Sequence, residues 1–175
     1  TIYNNSKTTG STCTFTGTKA INQNISSPPA CVTSGTCSAG TSINYKVNGS
    51  TTQSFYVLKD NGSTLTLISS RVVVTSVAWD SSGENIYGPR TATQKLESVT
   101  SSWTNVPANT YNESTGTATR ARLITEAEAR SVGCTESTYS CPKWLTESSY
   151  DHWTSTPTTR TTENMWGGTT TLAAA

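Results

Sequence analysis

The sequence predicts a β-rich α+β domain in which two helices pack on antiparallel strands. Three observations predict this fold class: apolar and polar residues alternate between residues 43 and 68, tight Asn-Gly turns interrupt that stretch, and two later segments carry helical spacing or helix caps. With 175 residues, of which 33% are hydrophobic, the chain is long enough to bury one core. We therefore expect one main domain.

Three runs predict strands, because they are rich in β-branched and aromatic residues and are separated by Asn-Gly turns. These runs are residues 43–47, 54–58 and 64–68. The turn at Asn61-Gly62 lies between two of them, which is the strongest short signal for a β-hairpin. The sequence Arg71-Val72-Val73-Val74 predicts one further, buried strand.

The first predicted helix begins at Gly88-Pro89, since proline suits the first position of a helix. Four apolar residues then recur at helical spacing and share one face, which we expect to pack on the sheet. They are Ala92, Leu96, Val99 and Trp103.

The second predicted helix begins at Thr125, whose hydroxyl can cap free backbone amides while Glu128 reaches back in a capping box. Gly133 suits the end of this helix. Glu126 and Glu128 are two residues apart and point to different faces, so they are not expected to act as a pair of catalytic carboxylates.

Five cysteines in a chain of this size indicate an oxidising compartment. The spacing predicts two local disulfides, Cys31 with Cys37 and Cys134 with Cys141, while Cys13 is left over with its pairing open. A zinc site would need Cys-x-x-Cys pairs or several histidines, and the chain has neither, so no metal is expected.

The domain organisation follows from composition. Residues 1–40 hold several glycines and prolines among Ser, Thr and Asn, which predicts a loop-rich, disulfide-bearing lead segment. Residues 41–175 hold the predicted strands and helices and form the main domain. The last four residues, from Leu172, resemble a junction left by an expression vector or a frayed terminus, so no structural role is expected for them.

Charge excludes two classes of partner. Charged residues make up 13% of the chain against an ordinary share of about 25%, while Ser and Thr make up about a third. A net charge of +1 with scattered basic residues predicts neither nucleic-acid binding nor contact with a membrane surface. No apolar run is long enough to span a bilayer, and Thr1 opens no signal-peptide pattern.

An ordered set of motifs resembles a known family. The set is Arg120 to Glu128, a cysteine-bracketed loop, His152 to Pro157, and Met165-Trp166-Gly167-Gly168, preceded by the 55–68 hairpin and the Gly88-Pro89 helix. It resembles surface proteins of gut Firmicutes that carry type IV prepilin-like leaders and a C-terminal domain of the C-type-lectin-like, formylglycine-generating type. The resemblance covers about residues 41–168.

This resemblance implies a C-type-lectin-like domain with a lost or differently completed last strand. Family members continue after the Trp-Gly-Gly segment into a strand ending near Gly-Val-Arg-Pro, whereas this chain continues into Thr169-Thr170-Thr171-Leu172. The last strand is therefore expected to be missing or supplied by another chain. The calcium signatures of sugar-binding members, Glu-Pro-Asn and Trp-Asn-Asp, are absent, so no calcium site and no cofactor are expected.

Aromatic residues are the candidate ligand-binding groups. Trp103 and Trp153 are expected in the core, with Trp153 on a central strand over residues 153–156. Trp144, Tyr150 and Trp166 are the candidates for a glycan platform near the loops. No catalytic residue is predicted, because Asp151 and His152 are strand neighbours that point to opposite faces and no nucleophile elbow is present.

Two functions from different classes follow. The first is an extracellular, cell-surface binding module of adhesin type, which presents its loops to a glycan or protein. The second is the exposed head of a type IV pilin-like filament subunit, whose partners would be neighbouring subunits. Neither function is enzymatic.

Overall fold

The computed structural model describes residues 23–74, 76–82, 88–108, 119–135 and 140–145, and the backbone of three short strands beyond them. The elements in chain order are β1 (Ile25–Ser26), α1 (Ala30–Thr33), β2 (Ser42–Lys46), β3 (Thr52–Asp60), β4 (Leu65–Ser69), α2 (Arg90–Thr100), α3 (Glu126–Ser131), β5 (His152–Trp153), β6 (Trp166–Gly168) and β7 (Leu172–Ala174). The protein is therefore a small α+β structure, as its patterning predicts.

The main sheet is antiparallel, with its four strands in the order β1-β2-β3-β4. Ile43 on β2 lies opposite Phe55 on β3, and Val57 lies opposite Leu67 on β4. Side chains of paired residues share a face, so these apolar residues lie on the same side of the sheet. The predicted strands and the hairpin around Asn61-Gly62 are confirmed.

Two identical Asn-Gly-Ser-Thr turns connect the three longer strands. Asn48 Oδ1 accepts hydrogen bonds from the backbone N–H groups of Ser50 (3.0 Å) and Thr51 (2.8 Å). Asn61 Oδ1 accepts the same bonds from Ser63 (3.1 Å) and Thr64 (2.8 Å). Each asparagine side chain thus closes its own turn, which is why this residue type recurs at both strand connections.

The core lies against one face of this sheet. Its buried members come from the strands, from the segment 25–37 and from the residue three positions beyond α2; they are Ile25, Val32, Cys37, Ile43, Tyr45, Val47, Phe55, Val57 and Trp103. Phe55 contacts Trp103 edge to face at 5.9 Å and Tyr45 edge to face at 6.4 Å between ring centroids. Such pairs contribute about 0.5–1.5 kcal/mol beyond the area that they bury.

Asn105 ties the chain after α2 to the strands. Its backbone N–H donates to the Val47 carbonyl (2.9 Å), and its side-chain amide donates to the Lys46 carbonyl (2.9 Å). Its own carbonyl accepts from the Tyr45 hydroxyl (2.9 Å). These bonds hold the neighbouring Trp103 over the sheet.

The first predicted helix is present, but its packing differs from the expectation. Pro89 lies at the N-cap and the helix begins at Arg90. Ala92 and Leu96 are buried, whereas Val99 is 36% exposed. Of the four apolar residues that were predicted to share one face, Trp103 is the one that belongs to the sheet core in the described part of the chain. The buried face of α2 also contains Thr93 and Thr100, and Val99 lies outside this face.

The prediction of a buried strand at Arg71-Val72-Val73-Val74 is wrong. These residues form bends, with Arg71 exposed and the three valines half-buried. Ser69 explains the turn away from the sheet, because its hydroxyl donates to the Arg71 carbonyl (2.8 Å). High β-propensity does not make a strand where no pairing partner follows.

The lead segment contributes to the core. Cys31 and Cys37 form the predicted disulfide around α1, with 4.9 Å between their Cα atoms. The Asp60 carboxylate accepts hydrogen bonds from the backbone N–H groups of Cys37 (2.7 Å) and Gly62 (2.7 Å). It thereby joins the disulfide loop to the far end of β3. Cys13 lies outside the described residues.

A second, three-stranded antiparallel sheet has the order β5-β6-β7. Within the strands that are described, His152–Trp153 pairs with β6 alone, so it is an outer strand and not the central strand that we predicted. Residues 154–156 and the burial of Trp153 lie outside the described part. Leu172 to Ala174 pair with β6, so the expectation that this terminus has no structural role is wrong.

Replacing Trp103 by Ala should lower the free energy of unfolding by about 3–5 kcal/mol, because the substitution leaves a cavity over Phe55. Chemical denaturation followed by circular dichroism measures the loss. Val99→Ala is the matched control at the exposed end of α2, where a change within about 0.5 kcal/mol is expected. Equal losses in the two variants would contradict the assignment of Trp103 to the core.

Candidate binding site

Tyr56 lies on the outer face of the main sheet, opposite the core, and the exposed Lys59, which pairs with Thr66, lies on the same face. Tyr56 alternates with the buried Phe55 and Val57 and therefore points to the other side of β3. Its cross-strand neighbours are Ser42 on β2 and Ile68 on β4. This region offers hydroxyl, aromatic and aliphatic groups to a ligand.

One step along the strands, Ser54 and Asn44 lie opposite each other on the same outer face. The Ser54 hydroxyl donates to Asn44 Oδ1 at 2.7 Å, which orients the side-chain amide. The spacing of about 3.3 Å per residue places this pair about 7 Å from Tyr56 along the strands. An aromatic ring and an oriented amide thus lie within the length of one small ligand.

Trp144 covers one side of Tyr56. The ring centroids are 5.7 Å apart at an interplanar angle of 58°, and both side chains are half-buried. The indole also lies against the backbone at Gly40: a Cβ atom at that position would be 2.8 Å from Trp144 Nε1. Gly40 is held to β3 by its N–H bond to the Val57 carbonyl (2.8 Å). Glycine is required here for space and because its φ is +87°.

A compact unit built on α3 positions Trp144. The helix ends in a Schellman motif, in which Gly133, with φ +105°, donates to the Arg130 carbonyl (3.0 Å) and Cys134 donates to the Ala129 carbonyl (3.1 Å). Cys134 then forms the predicted disulfide with Cys141. Trp144 follows three residues later, so α3 and the disulfide determine where its indole lies.

A small apolar cluster stabilises this unit. Ala129 and Cys134 are buried, and the partly buried side chains of Ile124, Cys141 and Leu145 pack on them. The disulfide closes a short loop and contributes about 2–3 kcal/mol in the chain-entropy account. The unit is thus held by local contacts and a covalent bond.

The N-terminus of α3 carries the predicted capping box. The Thr125 hydroxyl accepts from the Glu128 backbone N–H (3.1 Å), and the Glu128 carboxylate accepts from the Thr125 backbone N–H (3.0 Å). Arg122 donates two further hydrogen bonds to the same carboxylate. Glu126 pairs separately with Arg130. The predicted capping role of Glu128 is confirmed.

The pKa of Glu128 reflects this environment. Burial alone raises the pKa, but the hydrogen bonds from Arg122 and Thr125 and the positive charge of Arg122 outweigh it. The pKa therefore lies below its ordinary value of 4.5.

The three predicted ligand-binding aromatics have different outcomes. Trp144 lies on the outer sheet face as described. Trp166 lies on β6, where its backbone pairs with Ala174, while its side chain lies outside the described part of the structure. Tyr150 lies outside the described residues altogether. Tyr56 is not among the predicted binding residues, because its run predicted only a strand. The alternation of Phe55, Tyr56 and Val57 is the signal that identifies it as outward-facing.

A groove opens on the opposite side of the sheet. Its volume is about 240 Å³, and the β2–β3 turn, the bends after β4 and the end of α2 form its walls. The lining residues are Thr51, Thr52, Gln53, Arg71, Val72, Val73, Val99 and Trp103.

In the described part of the chain, no group of three or more His, Cys, Asp or Glu side chains is arranged to hold a metal ion. Among the described helices, none is both long and apolar enough to cross a membrane.

No family model matches the chain, and neither a curated protein nor a solved structure matches it.

Gly40→Ala should destabilise the protein through two effects, backbone strain of about 1–2 kcal/mol and a clash with Trp144. In a Trp144→Ala background the clash disappears. The loss in the free energy of unfolding caused by Gly40→Ala should therefore be smaller there by about 0.5–3 kcal/mol. Urea denaturation of the four proteins in this cycle measures the coupling. Purely additive costs would contradict the contact between Gly40 and the indole.

The Glu128 ion pair should make stability depend on acid pH. Because the folded pKa is lowered, the stabilisation is fully present above pH 4.5 and is lost as the pH falls through the folded pKa. Glu128→Gln keeps the capping geometry but removes the charge, so its urea midpoint should fall less between pH 5 and pH 2 than that of the parent. An unchanged acid dependence in Glu128→Gln would contradict this assignment. Arg122→Gln should reduce the dependence in the same way.

Proposed function

We propose that the chain is an extracellular, cell-surface binding module of adhesin type that presents an aromatic surface to a glycan or protein outside the cell. The observation that carries the proposal is the half-exposed Tyr56–Trp144 pair on the outer face of the main sheet. Tyr and Trp supply large contact area with few rotatable bonds, which suits a binding surface. The fold does not require these two rings on the outer face, because its core lies on the other side.

Glycans fit this surface by their chemistry. The face of an aromatic ring carries negative charge density and attracts the C–H groups of a sugar ring. Asn44 and Ser54 place an amide and a hydroxyl beside Tyr56, and these groups match sugar hydroxyls. We therefore favour a neutral glycan over a charged protein segment at this surface.

The extracellular assignment is supported by two disulfides in the described residues. Disulfides persist in oxidising environments and are rare in the cytosol. We also propose binding without catalysis. Three described carboxylates support this, because Asp60, Glu126 and Glu128 all have structural partners.

We further propose that residues from 41 onward form the C-type-lectin-like domain that the resemblance implies. Support comes from the order of elements: a β-hairpin, a helix after Gly88-Pro89, a capped helix, a disulfide loop and late strands containing Trp153 and Trp166. This order agrees with that of the motifs in the sequence.

The second candidate is the head of a type IV pilin-like filament subunit. One observation favours it: among the described residues, β4 pairs only with β3, so its other edge is open to contact with another subunit. Sedimentation of the protein over a wide concentration range tests this alternative. Reversible assembly that is abolished by a proline at an outward N–H of β4 would favour the filament over the binding module.

The binding proposal is tested by exposing the full chain to a glycan array. Tyr56→Ala and Trp144→Ala should each lose the array signal while the fold is retained, because both rings are half-exposed. Lys46→Ala is the matched control, since Lys46 is exposed at the far end of the same face. A glycan signal that survives both aromatic substitutions would contradict the proposed surface, and an array without any signal would contradict the preference for a glycan.

A further inference from the structure

The groove of about 240 Å³ is separate from the Tyr56–Trp144 surface. Gln53 lies opposite Tyr45 and so shares the core-side face of the sheet, whereas Tyr56 points to the other face. The groove is therefore a second concave surface with its own chemistry. Its volume lies below the roughly 300–1,000 Å³ of sites for drug-sized ligands, which indicates a smaller occupant.

Polar side chains without structural partners converge on this groove. In the described part of the chain, no residue hydrogen-bonds to the side chains of Thr51 or Gln53, which face the core side of the sheet. The Arg71 guanidinium likewise has no ion pair or hydrogen bond among those residues, although Arg71 is exposed at the rim. One hydroxyl, one amide and one guanidinium are thus available to a ligand.

The floor of the groove is apolar. Val72 and Val73 are half-buried, Trp103 is 6% exposed, and Val99 is the exposed large hydrophobic residue at the end of α2. Val99 is not needed by the core, yet its side chain borders the same cavity as Trp103. A ligand with one apolar side would cover these groups.

Hydrogen bonds hold the three walls in place. The Asn48 side chain closes the turn that carries Thr51. The Ser70 hydroxyl donates to the Ser54 carbonyl (2.9 Å), which anchors the chain just before Arg71. The Trp103 backbone N–H donates to the Thr100 carbonyl (2.9 Å). The groove is thus largely formed before a ligand arrives, which lowers the entropic cost of binding.

We propose that this groove binds an acidic saccharide unit, with Arg71 holding its carboxylate. A guanidinium matches a carboxylate in two parallel hydrogen bonds, and none of the lining residues carries a negative charge. Thr51 and Gln53 match the sugar hydroxyls, and the valines match the C–H side of the ring. The inference goes beyond the proposed function, because it does not depend on the Tyr56–Trp144 surface.

The test is a titration of the full, isotope-labelled chain followed by backbone amide shifts. Glucuronic acid should shift the amides of residues 51–53 and 71–73, and glucose should bind at least about tenfold more weakly, since it lacks the charge-assisted bonds. Equal shifts with the two sugars, or no shifts with glucuronic acid, would overturn the proposal. These outcomes do not affect the proposal for the Tyr56–Trp144 surface, because that proposal is tested separately by its own variants on the glycan array.

Two variants and one control sharpen the test. Arg71→Gln should weaken glucuronic acid binding about tenfold, and Val99→Asp should weaken it similarly by repelling the carboxylate. Both positions are exposed, so the amide spectrum should otherwise be unchanged. Lys95→Gln removes one positive charge from the exposed side of α2 and should have no effect. If Lys95→Gln weakens binding as much as Arg71→Gln, the attraction is non-specific and the proposal fails.

A carboxylate could also come from the end of a peptide. An acetylated alanine tripeptide with a free C-terminus, compared with its amidated form, separates the two sources. Stronger binding of the free peptide than of glucuronic acid would overturn the saccharide assignment. Binding of glucuronic acid without binding of the peptide is the expected result.

Discussion

The edge-to-face contact between Trp103 and Phe55 is the interaction on which the rest of the structure depends. The central strand β3 supplies Phe55, and a single residue beyond α2 supplies the indole that covers it. Asn105 then bonds to the carbonyls of Lys46 and Val47, which fixes the position of that indole. A sheet of four strands cannot bury its apolar face alone. Trp103 covers this face, so the apolar residues that alternate between positions 43 and 57 become buried.

The same constraint leaves the outer sheet face available. Because the core is built on the side of Phe55 and Val57, the intervening Tyr56 must point away from it. The α3 unit reaches this face from a separate part of the chain, through Trp144. Its cap, its Schellman motif and its disulfide are local devices, so the indole is positioned without adding a second large core. The candidate site thus combines Tyr56, whose direction is set by the sheet, with Trp144, whose position is set by a disulfide-bonded loop.

Local signals explain how much of this structure could be predicted from the sequence. The Asn61-Gly62 hairpin, the Thr125 capping box and the Cys134–Cys141 disulfide each depend on residues close in sequence, and each is confirmed. The outcomes at residues 71–74 and at Val99 depend on whether a distant partner exists, which no local pattern encodes. β-Branched residues predicted a strand at 71–74, but the Ser69 hydroxyl turns the chain away from the sheet. Trp79, which is 1% exposed, was overlooked for the same reason, since its burial depends on contacts beyond its own segment.

The candidate site was predicted less fully than the fold, and the reason is also physical. Composition indicated aromatic binding groups, yet it could not indicate that Trp144 would meet Tyr56 across 88 residues of chain, because that contact requires the close approach of Gly40. A net charge of +1 supplies no long-range attraction for a ligand. Affinity must then come from short-range contacts to groups that are already held in place. Both proposed surfaces meet this requirement, since a disulfide and a Schellman motif position Trp144 and hydrogen-bonded turns hold the walls of the groove.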